Sequence, residues 1–330
     1  MENDNGLQIS CMNYGCTITS ILMPNRDGTP EEIVLGFDTI DEYLSSSSYF
    51  GCVIGRTAGR IRNAEFSING ITYSLSKNAG PHNLHGGPEG FHRKVWDSIV
   101  TQSENQVSVT FSNFSPGGEE GYPGDVNVSV TYTLTYDNEL CISYEATTNS
   151  VTIVNLTNHT YFNLSGNLKE NILHHNLSVD SNEVLEVDSS CIPTGKIMQV
   201  EGTVFDLRAG AVLDKISKSN HPQLALVGGG LDHPYLLNKQ YQNEIRLSEK
   251  KSGRQLDIKT DEKCVVIYTG NSLEAEGEIR GMNSVKHLGL CLETQKPPNM
   301  INEYPFPPMI IDQHNPYIST TTYKFGLISD

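Results

Sequence analysis

Between Asn78 and Trp96 the chain gathers His82, His85 and His92, its only tryptophan and four glycines into nineteen residues. Gly87 and Pro88 interrupt any repeating backbone, so the stretch is a shaped loop rather than a helix or strand. Imidazoles beside a flexible backbone and a large aromatic side chain suit a site for a small polar ligand, because they pair titratable hydrogen-bonding groups with an apolar face. Taken alone, the same composition also fits an ordinary surface loop.

Three further stretches carry reactive groups. His159 stands in Asn155-Leu-Thr-Asn-His-Thr-Tyr-Phe-Asn-Leu164, where Asn158, Thr160 and Tyr161 could fix its tautomer or share its proton. Gly228-Gly-Gly-Leu-Asp-His-Pro-Tyr235 is a glycine-rich turn that delivers Asp232 and His233 to the start of a strand. It lacks the Lys-Ser/Thr and the following helix of a phosphate-binding P-loop. In Leu288-Gly-Leu-Cys-Leu-Glu-Thr-Gln-Lys-Pro-Pro298, Glu293 ends an almost wholly apolar strand, where partial desolvation would raise its pKa toward neutrality. A carboxylate and several imidazoles at strand ends and loops are what a general acid/base enzyme needs.

The elements that must position these groups are strands. Phe66 and Ile68 alternate up to Asn69-Gly70, and Ile71, Tyr73 and Leu75 return, which is a hairpin pattern. Val126, Val128, Val130, Tyr132, Leu134 and Tyr136 alternate with polar residues, and Leu140, Ile142, Tyr144 and Ala146 follow after Asp137-Asn138-Glu139. That is the period of half-buried antiparallel strands. Shorter runs cover Thr152 to Leu156, Glu183 to Val187, Leu256 to Ile258, Cys264 to Thr269 and Leu288 to Leu292. Helix signals are few; the best is Asp41-Glu-Tyr-Leu44, with an N-cap type residue and about one turn before the serine run Ser45 to Ser48, which reads as loop. The expected fold is all-β, a large antiparallel sandwich with few short helices, in a single domain over residues 1–330, since no linker or repeat divides the chain.

With 39 acidic against 23 basic residues the formal net charge is −16, and no Lys/Arg run is longer than two. Nucleic acid and anionic membrane, which need a concentrated positive face, are therefore poor partners. The N-terminus lacks the basic and apolar regions of a signal peptide and no apolar run approaches a membrane span, so a cytoplasmic location is expected. Seven cysteines without a Cys-x-x-Cys pair fit reduced core thiols, and no metal site is expected. The sequence leaves monomer or homodimer open.

Taken together, Gly55-Arg-Thr-Ala-Gly-Arg-Ile61, Asn83-Leu-His-Gly-Gly87 with Gly90, Phe91 and Trp96, Thr157-Asn-His-Thr-Tyr-Phe-Asn-Leu164, Asp232-His-Pro-Tyr235, Glu293-Thr-Gln295 with Pro298 and Asn302, and Thr322-Tyr-Lys-Phe325 resemble the aldose 1-epimerase (galactose mutarotase) family, in the family's order. The resemblance implies a galactose mutarotase-like β-sandwich, no cofactor, and interconversion of the α and β anomers of free hexoses such as galactose and glucose. It also implies Glu293 as general base, His159 as general acid, and His85, Arg60 and Asp232 as sugar-binding residues. Two segments depart from the family pattern: Pro298-Asn299 stands for the usual Pro-Asp, and Asp312-Gln-His-Asn-Pro-Tyr317 replaces the usual Pro-Gly before the final Tyr. Neither touches the acid/base pair.

The chemistry agrees with these residue types. A base takes the proton of the C1 hydroxyl while an acid protonates the ring oxygen; the open aldehyde rotates about C1–C2 and recloses, and a carboxylate and an imidazolium titrating near neutrality would serve both directions. The sugar hydroxyls need polar anchors and the ring an aromatic platform, for which Trp96, Tyr161 and Phe91 are candidates, with a core role for Trp96 equally open. Three rival readings stand beside this one. A mutarotase-like epimerase of hexose 6-phosphates would want extra cations, from Arg56, Arg62 or Arg93. A non-catalytic sugar-binding sandwich would need neither acid nor base. A metalloenzyme would use His82, His85 or His159 with Asp232, without a recognised ligand pattern.

Overall fold

Strict alternation along a strand requires different surroundings for its two faces, and in the computed structural model both main sheets meet that requirement. The structure describes residues 1–238, 242, 244–303 and 309–328. The larger sheet has nine antiparallel strands in the order Ala211–Val212, Asn176–Val179, Ile245–Ser248, Arg254–Thr260, Tyr317–Leu327, Glu139–Thr148, Val126–Thr135, Gln106–Ser115 and Asp97–Gln102. The smaller has six, in the order Tyr161–Phe162, Leu290–Gln295, Cys264–Tyr268, Asp232–Leu236, Glu183–Val187 and Pro193–Gln199.

The strand Val126–Thr135 buries Val126, Val128, Val130, Tyr132 and Leu134 and leaves the alternate residues at least partly exposed. Its inward residues pack with Leu140 and Ile142 from the same sheet and with Val184, Val265, Ile267, Leu290 and Leu292 from the other. The hydrophobic core therefore lies between the two sheets, as in a β-sandwich. The smaller sheet differs in having a strand covered on both faces. All six residues of Leu290–Gln295 are buried: Leu290 and Leu292 face the core, and Cys291 joins a second apolar cluster with Leu35, Phe37 and Tyr161. A strand buried on both sides reads as a continuous apolar run.

The expected hairpin forms as Glu65–Ile68 and Ile71–Ser74, with Gly70 at φ +79 in its turn. Several boundaries differ from the sequence reading. The run from Thr152 is a strand only over Thr152–Ile153; Val154 still bonds to Met309 O, but Asn155 turns to bond backbone to backbone with Arg56 and Ala58. The strand expected at 288–292 is Leu290–Gln295, so Glu293 lies within it rather than at its end. The helix at Asp41 runs over Ile40–Ser45, and its N-cap is Thr39, whose N–H donates to the Glu42 carboxylate at 2.9 Å. Two short helices, Leu213–Ser217 and Pro222–Leu226, had no signal beyond a proline compatible with a first turn. Among the described residues no helix is long and apolar enough to cross a membrane.

Leu292 is 2% exposed and anchors the strand Leu290–Gln295 to the core. Replacing it with alanine removes buried methyl groups and leaves a cavity, so Leu292→Ala should destabilise the protein by about 2–5 kcal/mol in urea unfolding. A loss below ~1 kcal/mol, within the range of ordinary surface changes, would contradict the packing described.

Candidate active site

The face of the smaller sheet turned away from the core is the floor of a cavity of about 410 Å³. Strand periodicity decides what it presents. Val265 and Ile267 point to the core while Val266 and Tyr268 line the cavity; on the next strands Asp232 with Pro234, and Glu293 with Gln295, do the same. Register brings Glu293 opposite Val266 and Asp232 opposite Tyr268. Tyr49, Gly59, Arg60, His85, His159 and Tyr161 complete the walls around these floor residues.

Loops held by backbone bonds bring in the imidazoles. His159 follows the short strand Thr157–Asn158, which pairs with Val53–Ile54; its N–H donates to Cys52 O at 2.9 Å, and its carbonyl accepts from Gly51 N at 3.0 Å. His85 follows Asn83–Leu84, paired with Arg60–Ile61, and its N–H donates to Gly59 O at 3.0 Å. Gly86 is obligatory in this loop: its φ is +86, and a Cβ there would lie 1.8 Å from Gly55 O. The resulting ring arrangement is compact. His159 Nε2 is 3.6 Å from Glu293 Oε1, the His85 and His159 rings meet edge to face at 5.2 Å, and Tyr49 packs against His85 at 4.7 Å.

Burial dominates the electrostatics. It raises the Glu293 carboxyl well above the usual carboxylate range, the nearby Asp232 charge adds to the rise, and Arg60 opposes it. Burial likewise lowers His159 to about 4. The imidazolium expected near neutrality is therefore a neutral ring in the sugar-free site, because the ring is 5% exposed and loses more hydration than its surroundings return. Asp232 is raised by burial against the opposing pull of Arg60. No hydrogen bond or ion pair holds the Arg60 guanidinium among the described residues, which leaves its donors free for a ligand.

All five residues singled out by motif, Arg60, His85, His159, Asp232 and Glu293, line the cavity. Of the aromatic candidates only Tyr161 does so. Trp96 is a core residue, 1% exposed, with its indole N–H on Phe91 O at 3.2 Å and its ring against Phe91, itself 1% exposed. His82 is outside the cavity and accepts the Asn63 N–H at 3.0 Å, while His233 is turned from it toward Gln223. Arg56 is spent on the carbonyls of Ser115, Pro116, Pro123 and Gly124, and Arg62 pairs with Asp188 at 2.7 Å. Residues without a sequence signal also contribute: Tyr49, Tyr268 and the serine run, whose Ser46 and Ser48 both bond to Glu276 at the cavity wall. Among the departures, Asn299 adopts φ 60 and accepts the Arg62 N–H at 3.0 Å, a structural role beside the cavity-lining Pro298. Asp312 caps its own turn through His314 and Asn315.

The fold is an antiparallel sandwich whose smaller sheet presents a buried carboxylate to a cavity, beside loop-borne imidazoles and further hydrogen-bonding groups. A model of the family described as aldose 1-epimerase matches residues 1–324. Galactose mutarotase from Homo sapiens is 40% identical over 326 residues, spanning 97% of this chain and 92% of that protein, and galactose mutarotase from Sus scrofa is 39% identical over the same shares. The solved structure of an aldose epimerase homologue from C. elegans superposes with a TM-score of 0.92 at 30% identity, covering 100% of this chain and 98% of that one. The chain belongs to the aldose 1-epimerase family and is an enzyme of the isomerase class.

The donor atoms of His85, His159 and Glu293 lie within 4.8 Å of one another, and two imidazoles with a carboxylate are a transition-metal donor set by type. The bonding of His85 opposes that use. The Gly59 N–H donates to His85 Nδ1 at 3.2 Å, so the neutral ring carries its proton on Nε2 and offers a donor, not a lone pair, to the cavity. A metal at Nε2 would require that proton on Nδ1, against the Gly59 amide. Exhaustive chelation should therefore leave activity intact; loss of activity that a divalent ion restores would overturn this assignment.

Proposed function

We propose that the protein interconverts the α and β anomers of free aldohexoses, galactose and glucose among them, with Glu293 as general base and His159 as general acid. The observation that carries this is the 3.6 Å separation of His159 Nε2 from Glu293 Oε1 at the floor of a 410 Å³ cavity, a space suited to one small polar ring. Glu293 takes the C1 hydroxyl proton as His159 protonates the ring oxygen; after rotation about C1–C2 the transfers reverse on the other face. His85, through its Nε2–H, Arg60 and Asp232 hold the remaining hydroxyls, and Tyr49, Tyr161 and Tyr268 supply apolar faces. Among the described residues lining the cavity Arg60 is the only Lys or Arg, beside Asp232, Glu276 and Glu293, which favours a neutral sugar over a hexose 6-phosphate. The seven free thiols fit the reducing cytoplasm. Polarimetry on freshly dissolved α-D-glucose and α-D-galactose tests the activity directly; mutarotation no faster than in buffer would refute it.

The pair must hold one proton between them. Burial raises the Glu293 carboxyl and lowers the His159 ring, and catalysis needs the proton on His159 when the C1 hydroxyl meets the carboxylate. Below about pH 4, where His159 also charges, the base is lost; above the raised pKa of Glu293 the last proton leaves and the acid is lost. We expect a kcat/KM profile, which reports the sugar-free enzyme, with an acid limb near pH 4 from His159 and an alkaline limb at the raised pKa of Glu293. A single rising limb centred on the ordinary carboxylate range would show instead that Glu293 titrates alone.

Glu293→Gln keeps the side chain's outline but cannot accept the proton, so kcat should fall about 10²–10⁴-fold with little change in sugar binding. His159→Asn should fall comparably, and the double variant by less than the product of the two losses, because the pair acts as a unit. Asp232→Ala should raise KM at least as much as it lowers kcat, since its hydroxyl contact persists throughout. Wild-type kcat with a raised KM in Glu293→Gln would move the base to another carboxylate, Asp232 first.

A further inference from the structure

The strand that carries Glu293 also carries Cys291 two residues earlier, and at period two both side chains leave the same face. They meet the two nitrogens of one ring. Glu293 Oε1 faces His159 Nε2 at 3.6 Å, and Cys291 Sγ lies 3.4 Å from His159 Nδ1. The sulfur is 0% exposed, and it is the one polar side-chain atom within hydrogen-bond distance of Nδ1 among the described residues.

We infer that Cys291 is a positioning residue: its sulfur accepts the Nδ1–H of His159, fixes the ring plane, and keeps Nε2 as the nitrogen that gains and gives the proton. This rests on the reading of His159 as the acid. The logic is that of any imidazole that works through one nitrogen, where the hydrogen bond at the other nitrogen decides the tautomer. If Nδ1 lost its acceptor, a neutral ring could carry its hydrogen on Nε2, and that nitrogen could not take up the proton that the acid must deliver. The choice of sulfur is chemically apt. A carboxylate at Nδ1 would hold the imidazolium and make the ring slow to release its proton, whereas a neutral, weakly accepting thiol orients the ring without adding charge. An epimerase must run the transfer in both directions, so neither partner can bind the proton much more tightly than the other. Burial keeps the Cys291 thiol protonated and uncharged, with the Glu293 charge acting in the same direction.

The tautomer can be read in the unaltered protein. Long-range ¹H–¹⁵N correlation of the ¹⁵N-labelled enzyme at neutral pH should show His159 with a protonated, pyrrole-like Nδ1 and an unprotonated Nε2; the reverse pattern overturns the inference without any variant. Cys291→Ala removes the acceptor and should lower kcat roughly tenfold, about the worth of one neutral hydrogen bond, with KM unchanged and a mixed tautomer in the spectrum. Cys291→Ser, which keeps an acceptor, should recover most of that loss. Full kcat in Cys291→Ala with the wild-type tautomer overturns the inference. The wider reading fails separately: if His159→Asn retains full activity, His159 is not the acid, whereas an inactive His159→Asn beside a fully active Cys291→Ala sinks only the role of the thiol.

Discussion

The structure depends on one strand being covered on both sides. Along Leu290–Gln295, Leu290 and Leu292 are held in the main core, while on the opposite face Glu293 and Gln295 line the cavity and Cys291 is buried in the second apolar cluster. A half-solvated strand could anchor one set or expose the other, but it could not desolvate a carboxylate. Here the loops that carry Tyr49, Arg60, His85 and His159 form a second cover, fastened to one another by backbone bonds such as His85 N to Gly59 O and His159 N to Cys52 O. The Ser46 and Ser48 bonds to Glu276 tie the cover across more than 220 residues of sequence, from the short helix to the far wall.

From that double cover follows the electrostatic character of the site. Water is what normally keeps a carboxyl acidic and an imidazole basic, and removing it drives both groups toward their neutral forms. Glu293 moves up and His159 moves down, to about 4, so the two approach the condition in which a proton is readily exchanged between them. The same burial elsewhere has no such outcome. His175 and His233 are also lowered, to about 4 and about 3, but His175 Nε2 is occupied by the Leu164 N–H and His233 lies between the Asp232 N–H and Gln223. A histidine becomes chemically available when its cavity-side nitrogen faces a ligand and its other nitrogen is held, and only its surroundings decide that.

How much of this was legible follows a physical division. Strong period-two alternation made Val126–Thr135 and Glu139–Thr148 readable, and Asn69-Gly70 declared its hairpin, because local preference and tertiary environment agree there. The short edges of the site were not legible. Val53–Ile54, Arg60–Ile61 and Asn83–Leu84 are two residues each, with no periodicity to detect, and they exist because a distant partner supplies the hydrogen bonds. Trp96 was open to a core or a platform role and Phe91 read as platform; packing against each other put both in the core and left Tyr49, Tyr161 and Tyr268 as the aromatic rings of the cavity.

The sequence by itself determined the class of fold and pointed to the five polar residues that line one cavity, since each is written in residue identity, in alternation, or in motifs whose order survives without coordinates. It could not determine the protonation state of His159, the partner of its Nδ1, or the closing bonds of the serine run. Those depend on how much water is excluded and on contacts between residues separated by 132 and 228 positions. Desolvation and nonlocal hydrogen bonds are properties of the packed space around a group, and that space comes into being only when the two sheets and their covering loops are assembled.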